Sequence, residues 1–172
     1  MYFENFPTVS YTNVLGGDTT IVTNILKRIG ARDAVKNSIT FFTKYNVRGS
    51  ETPEQVAFDF YGDAELHWVI LLVNDIYDRY HQWPMNVNQF QAYLEDKYAD
   101  ANAVHHYEIT QSSGDTTVTI NIGTDNSLYG SATAVTNYEY EEKEQDKKRQ
   151  INILDSTLIT QFVREYKSLQ TR

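Results

Sequence analysis

The stretch that most constrains this chain is residues 52–75, TPEQVAFDFYGDAELHWVILLVND. Its centre, WVILLV at 68–73, is apolar at every position. A helix that is apolar all round has no face to give to water, so it must be buried on more than one side. The flanks read as helix punctuation. Thr52 is an N-cap candidate, Pro53 suits the first helical position, and Gln55 completes a capping box. Val56, Ala57 and Phe60 give that first helix its apolar stripe, and Gly62 is suited to stop it. Asp63 can cap a second helix over 64–74, which Asn74 and Asp75 can end. Two short helices around a buried rod, reached from a strand at Tyr45, Asn46 and Val47, define an α+β fold.

Around this centre the chain is less uniform. Residues 1–19 are aromatic, polar and punctuated by Gly16 and Gly17, and read as an arm with little regular structure. Residues 20–29, TIVTNILKRI, fit a helix by spacing and a strand by β-branching, and 31–44 is equally ambiguous. After a loop over 77–83, Asn86 and Gln89 form a second capping box for a helix at 87–98, with Val87, Phe90, Tyr93, Leu94 and Tyr98 facing inward. HHYEITQ and TTVTINIG, joined by Ser112, Ser113, Gly114 and Asp115, read as a β-hairpin. Residues 123–137 are a loop or a weak strand, and 139–149 are strongly charged and read as a solvated face. INIL is a strand, and Asp155 caps a last helix with Leu158, Ile159, Phe162, Val163, Tyr166 and Leu169 on one face. The segments divide into an arm and connections over 1–44, a strand–helix–helix core with its following helix over 45–98, and a hairpin, charged stretch and C-terminal helix over 99–172.

Composition narrows the functional classes. At 172 residues a chain buries about 70% of its unfolded surface, so a core needs no staple. There is no cysteine, which removes disulfides, thiolate metal sites and a cysteine nucleophile. The formal charge is −8, and the one dense basic group, Lys147, Lys148 and Arg149, follows directly on a run of acids. Nucleic acid is therefore rejected as the main partner. No apolar run approaches the ~20 residues of a membrane helix, and the first residues lack the pattern of a secretory signal. The expectation is a soluble protein that folds in a cytoplasm.

Chemistry finds little purchase. Asp63, Glu65 and His67 alternate, so on a helix they cannot converge as a trio. His105 and His106, as neighbours on a strand, are expected on opposite faces. No serine elbow, phosphate-binding glycine loop or metal-ligand spacing occurs, so no catalytic residue, cofactor or metal is expected. A cell-wall hydrolase using Glu65 and His67 ranks last among three readings. The aromatic bias is more informative: 13 Tyr and 8 Phe favour a contact surface. Candidate partner-facing residues are Tyr77, Tyr80, Trp83, Tyr138, Tyr140 and Arg149, with Trp83 equally readable as a lid on the core. The structural core is expected at Tyr45, Val47, Val56, Phe60, Gly62, Leu66, Trp68, Leu72 and Asn74.

Residues 45–74 resemble a LysM module: a short strand (YNV), a Gly followed by a Thr-Pro-Glu helix start, FYGD, and a second helix ending in Asn74. The closing strand of that module does not follow; YDRYHQWPM and a helix stand in its place, which argues against carbohydrate binding. A longer likeness runs through TPEQVAFDFYGDAELHWVILLVNDIYDRYHQWPM, whose YG-x-x-x-L-x-W-V-x-L-x-x-N-D core is similar to the LysM-containing baseplate wedge proteins of contractile-tailed bacteriophages. EKEQDKKRQINIL resembles the same family's N-E-x-x-R-x-I-like run. The resemblance implies a virion structural protein, assembled in the host cytoplasm. Its partners would be neighbouring wedges and other wedge and hub-proximal proteins, with neither nucleic acid nor membrane among them. The alternative it leaves is a peptidoglycan-binding LysM module, a binder of N-acetylglucosamine polymers.

Overall fold

A computed structural model describes residues 6–12, 16–27, 41–127 and 129–171. Parts of the expected arm (1–5 and 13–15), the end of the ambiguous 20–29 segment and most of the ambiguous 31–44 segment lie outside the described residues. The fold is α+β, as expected, and its residues group into two compact units. One comprises residues 1–83 with 150–172, the other 84–149, so the 45–98 and 99–172 segments each fall into both.

In the first unit, strands β1 (Thr8–Thr12) and β2 (Thr19–Thr23) pair antiparallel, Val9 opposite Val22 and Tyr11 opposite Thr20. The arm is therefore partly regular, and the open choice at 20–29 resolves to strand at its start. Next comes β3 (Phe42–Asn46), then α1 (Pro53–Tyr61), a single 3-10 turn (Ala64–Leu66) and α2 (His67–Val73). Local chemistry sets these boundaries. Thr52 and Gln55 make the reciprocal capping box, and Gly62 adopts φ 72, the left-handed conformation a side chain resists. Asp63 accepts from the Glu65 amide at 2.9 Å and starts the next turn.

The partner of β3 comes from far along the chain. β7 (Gln150–Leu154) runs antiparallel to it, with Tyr45 opposite Ile151 and Phe42 opposite Leu154. A 3-10 turn (Ser156–Leu158), capped by Asp155, leads into the last helix, Ile159–Thr171. The all-apolar rod behaves as its sequence demands. Ile70 of α2 joins Val47, Val56, Ala57, Trp83, Ile151 and Ile153 in one cluster. Trp68, Val69 and Val73 join Leu154, Ile159 and Tyr166 in another, with Phe162 and Val163 packed against it. Phe60 departs from expectation: it is 37% exposed, its ring edge-on to Tyr45 at 5.0 Å, because the buried stripe of α1 runs through Pro53, Val56 and Ala57. Leu169 is likewise exposed, while Gln170 beside it is buried.

The second unit contains α4 (Val87–Lys97), the antiparallel sheet β5-β4-β6 (Thr116–Gly123, Val104–Ser113, Thr133–Thr136) and α5 (Asn137–Arg149). A four-residue helix, α3 (Arg79–Gln82), precedes them in the first unit, where only a loop was expected. Asn86 and Gln89 cap α4 as anticipated, although Val87 is 76% exposed rather than inward. The charged stretch is an ordered helix that is solvated over most of its surface, with Asn137, Glu141 and Gln145 buried. Thr136 and Glu139 cap it reciprocally: the Thr136 amide donates to Glu139 Oε2 at 2.8 Å and the Glu139 amide to Thr136 Oγ1 at 3.2 Å. It docks through polar groups. Glu141 and Gln145 are buried; Glu141 Oε1 accepts from Lys97 Nζ at 2.6 Å and Tyr98 Oη at 2.7 Å, and Gln145 Oε1 from the Met85 amide at 3.0 Å.

Candidate interaction surface

The exit from α2 determines what the 76–83 segment can display. Asp75 has φ 56, and the Ile76 amide returns to the Leu71 carbonyl at 2.9 Å while the Asp75 amide reaches the Leu72 carbonyl. This is a Schellman closure with Asp in the left-handed position, and Ile76 packs onto the first cluster. Asn74 ties the same helix end to β7. Its Nδ2 donates to the Ile70 carbonyl at 2.9 Å and the Asn152 carbonyl at 2.8 Å, and its Oδ1 accepts from the Asn152 amide at 2.8 Å.

Beyond that anchor the backbone is pinned again. Gln82 Oε1 accepts from the amides of Tyr77 at 2.7 Å and Asp78 at 2.8 Å. Asp78 caps α3, accepting from the Tyr80 amide at 2.9 Å, and its carboxylate meets His81 Nδ1 at 2.5 Å. The His81 hydrogen bond, followed by the Tyr80 and His81 amides, outweighs desolvation and holds the Asp78 carboxyl below its ordinary range. Arg79 pairs with Glu54 of α1. On this fixed backbone Tyr77 is 66% exposed and Tyr80 84% exposed. Trp83 turns the other way. It is 6% exposed, lies in the first cluster and donates Nε1–H to the Glu51 carbonyl at 2.9 Å. The partner-facing reading of Trp83 is corrected: a polar, Tyr-rich neighbourhood in sequence conceals a core residue whose single donor is satisfied internally.

The other candidates lie in the second unit. Tyr138 is 39% exposed, its ring edge-on to Phe90 at 5.6 Å. Tyr140 is half-buried and stacks on His105 with centroids 4.0 Å apart. Arg149 is half-buried and pairs with Asp146 at 2.6 Å. Tyr140 and Arg149 are thus engaged within the chain. Of the expected core residues, Val47, Val56 and Trp68 are buried, Tyr45, Leu66, Leu72 and Asn74 are half-buried, and Gly62 is exposed at its helix end.

The residues weighed for chemistry have structural work. Asp63 caps a turn and His67 Nδ1 lies 3.0 Å from the Ala64 carbonyl. An open groove of about 510 Å³ on α1 is lined by Ser50, Glu51, Glu54, Gln55, Phe58 and Asp59, but Glu51 is occupied by Tyr45 Oη at 2.8 Å and Glu54 by Arg79. Among the described residues no group of three or more His, Asp or Glu side chains could hold a metal, and no helix is long and apolar enough to cross a membrane. One expectation fails here. His105 and His106 are not on opposite faces; their Nδ1 atoms are 2.8 Å apart, because a bulge interrupts the β4–β6 register between Val104 and His106.

Comparison with known proteins places this chain among phage baseplate proteins. Residues 1–118 match the family described as base plate wedge protein 53. The chain is also 30% identical over 137 residues to baseplate wedge protein gp53 of Enterobacteria phage T4, covering 70% of this chain and 69% of that protein. The chain belongs to the base plate wedge protein 53 family.

Proposed function

We propose that this protein joins neighbouring wedges and wedge subunits in a contractile-tail baseplate through protein–protein contacts, with Tyr77 and Tyr80 at the centre of one contact surface. The observation that carries this reading is the pair of exposed tyrosines on a backbone held at both ends by Asn74, Asp78 and Gln82. Large aromatic side chains on pre-ordered backbone are the usual anchors of interfaces, because little entropy remains to be lost on binding. The β1–β2 ribbon is a second contact element: both strands are exposed throughout, and Val9, Tyr11 and Ile21 are outward. A lone two-stranded ribbon is marginal in water and gains most from being covered. The partners are other wedge and hub-proximal proteins, the location the virion tail, and assembly takes place in the host cytoplasm. Electron microscopy of tails purified from the source phage should find this chain in the baseplate with Tyr77 and Tyr80 covered. A baseplate lacking the chain refutes the reading.

A second reading has one observation behind it. The order β3, α1, α2, then β7 antiparallel to β3, supports a LysM-like unit whose closing strand is supplied after residues 84–149. If that unit binds N-acetylglucosamine polymers, titration with chito-oligosaccharides should shift amide resonances of residues 47–54 and 74–80. A flat response discards sugar binding and leaves the wedge reading intact.

A further inference from the structure

β4 carries one residue more than β6 where they pair: Val104 faces Thr136 and His106 faces Val135, leaving His105 as the inserted residue. This bulge turns two successive imidazoles together, Nδ1 to Nδ1 at 2.8 Å. Two nitrogens at that separation share one proton, so one must donate and the other accept. The surroundings decide which. His106 is buried, and its Nε2 lies 3.1 Å from Glu108 Oε1. Burial is the largest influence on the Glu108 carboxyl and pushes it up, but Lys143 Nζ at 3.1 Å and His106 together outweigh it and keep the group below its ordinary range. An ionised carboxylate only accepts, so Nε2 carries the proton of His106 and its Nδ1 is the acceptor. His105 then supplies the Nδ1–H, with its ring flat on Tyr140 of α5 at 4.0 Å and 8°.

We propose that His105 and His106 form a one-proton latch within β4 that holds the His105 ring flat on Tyr140 of α5 at neutral pH and lets it go on acidification. The first added proton goes to His105 Nε2, which leaves the Nδ1 contact intact and puts a cation against the Tyr140 face. The second has to enter at His106 Nδ1. It would set two N–H groups head on at 2.8 Å and two positive charges one contact apart, so the rings must separate. The other ionisable groups against the pair are Glu108 of the same strand and Tyr140 of α5, with Lys143 and Glu139 of α5 reaching it through Glu108. β6 contributes none, being Thr-Ala-Val-Thr. Glu139 is held below its ordinary range by its bonds to Thr136, so neither carboxylate takes up protons in the imidazole range. In that second step the parted form takes up the proton the latched form cannot hold, so the latch survives the first protonation and is lost as pH falls through the second.

The test uses the full chain and nitrogen-edited NMR of the imidazoles at about pH 7.5, then at about pH 5, spanning the ordinary histidine range. At the higher pH, His105 should appear as the Nδ1–H tautomer and His106 as the Nε2–H tautomer. His106 in the Nδ1–H form, or averaged tautomers at both rings, overturns the latch without recourse to any variant. On acidification the amides of 104–108 and 137–143 should move together. In His105→Phe, which keeps a ring for Tyr140 and removes the head-on nitrogen, that acid response should disappear. An unchanged response in His105→Phe overturns the proposal.

Discussion

Asn74→Ala removes the link between the end of α2 and β7, and its cost can be worked from the structure. The side chain makes three hydrogen bonds, two of them to the backbone of Asn152, which lies 78 residues away in sequence. At about 1 kcal/mol net for each bond, the loss is about 3 kcal/mol. Asn74→Asp sharpens the test. It keeps the acceptor for the Asn152 amide but presents a carboxylate oxygen to the carbonyls of Ile70 and Asn152. The expected loss is then about 4 kcal/mol near neutral pH, larger than for Ala despite the closer shape. Guanidinium unfolding followed by tryptophan fluorescence isolates the effect, since Trp68 and Trp83, the two tryptophans of the chain, both belong to the first unit. A loss below about 1 kcal/mol for Asn74→Ala, or an Asp variant no worse than the Ala variant, refutes the claim that these bonds hold strand to helix.

Three further outcomes are expected. Trp68→Ala, which empties the ring packed 4.6 Å from Tyr166, should cost about 3–5 kcal/mol in the same assay, and a loss under about 1 kcal/mol would mean the ring serves a partner instead. Gly62→Ala forces a side chain into φ 72 and should cost about 1 kcal/mol, measured in the same way. Burial pushes the Glu141 carboxyl up most strongly, yet Lys97 and Tyr98 together hold it below its ordinary range. A depressed carboxyl stabilises the fold above its unfolded value, about pH 4.3, and that contribution is lost as pH falls through the lower folded value. Acid should therefore lower the melting temperature of the second unit, and Glu141→Gln should shrink that dependence, as followed by its amide resonances.

What could be read from the sequence was local chemistry. Thr52 with Gln55, Gly62, Asp63, Asn86 with Gln89, and Asp155 each set a boundary within four residues of themselves, and the structure uses them so. The rod at 68–73 announced burial on several sides because no position was polar. What stayed hidden depended on distant or cancelling signals. β1 and β2 are exposed along their whole length, so no alternation of burial marks them. β3 acquires its partner only when β7 returns, over 100 residues later. α5 lacks an apolar stripe because it docks through Glu141 and Gln145; the one local clue was Thr136 and Glu139, a capping box at the start of the charged run. Among the contact candidates, the exposure of Tyr77 and Tyr80 was legible from their polar flanks. Trp83 shares that context and is distinguished only by its fit against Val47, Ile70 and Ile151. The bulge that joins His105 to His106 left no mark in the sequence.

On the function proposed above, the 76–83 segment is a built contact surface. The most direct measurement is incorporation of a Tyr77→Ala, Tyr80→Ala double variant into baseplates, with unfolding stability recorded in parallel. Both side chains are exposed, so stability should stay within about 0.5 kcal/mol of the unaltered chain. The expected result is a stable, folded variant that fails to enter assembled baseplates. A folded variant that enters them as readily as the unaltered chain contradicts it.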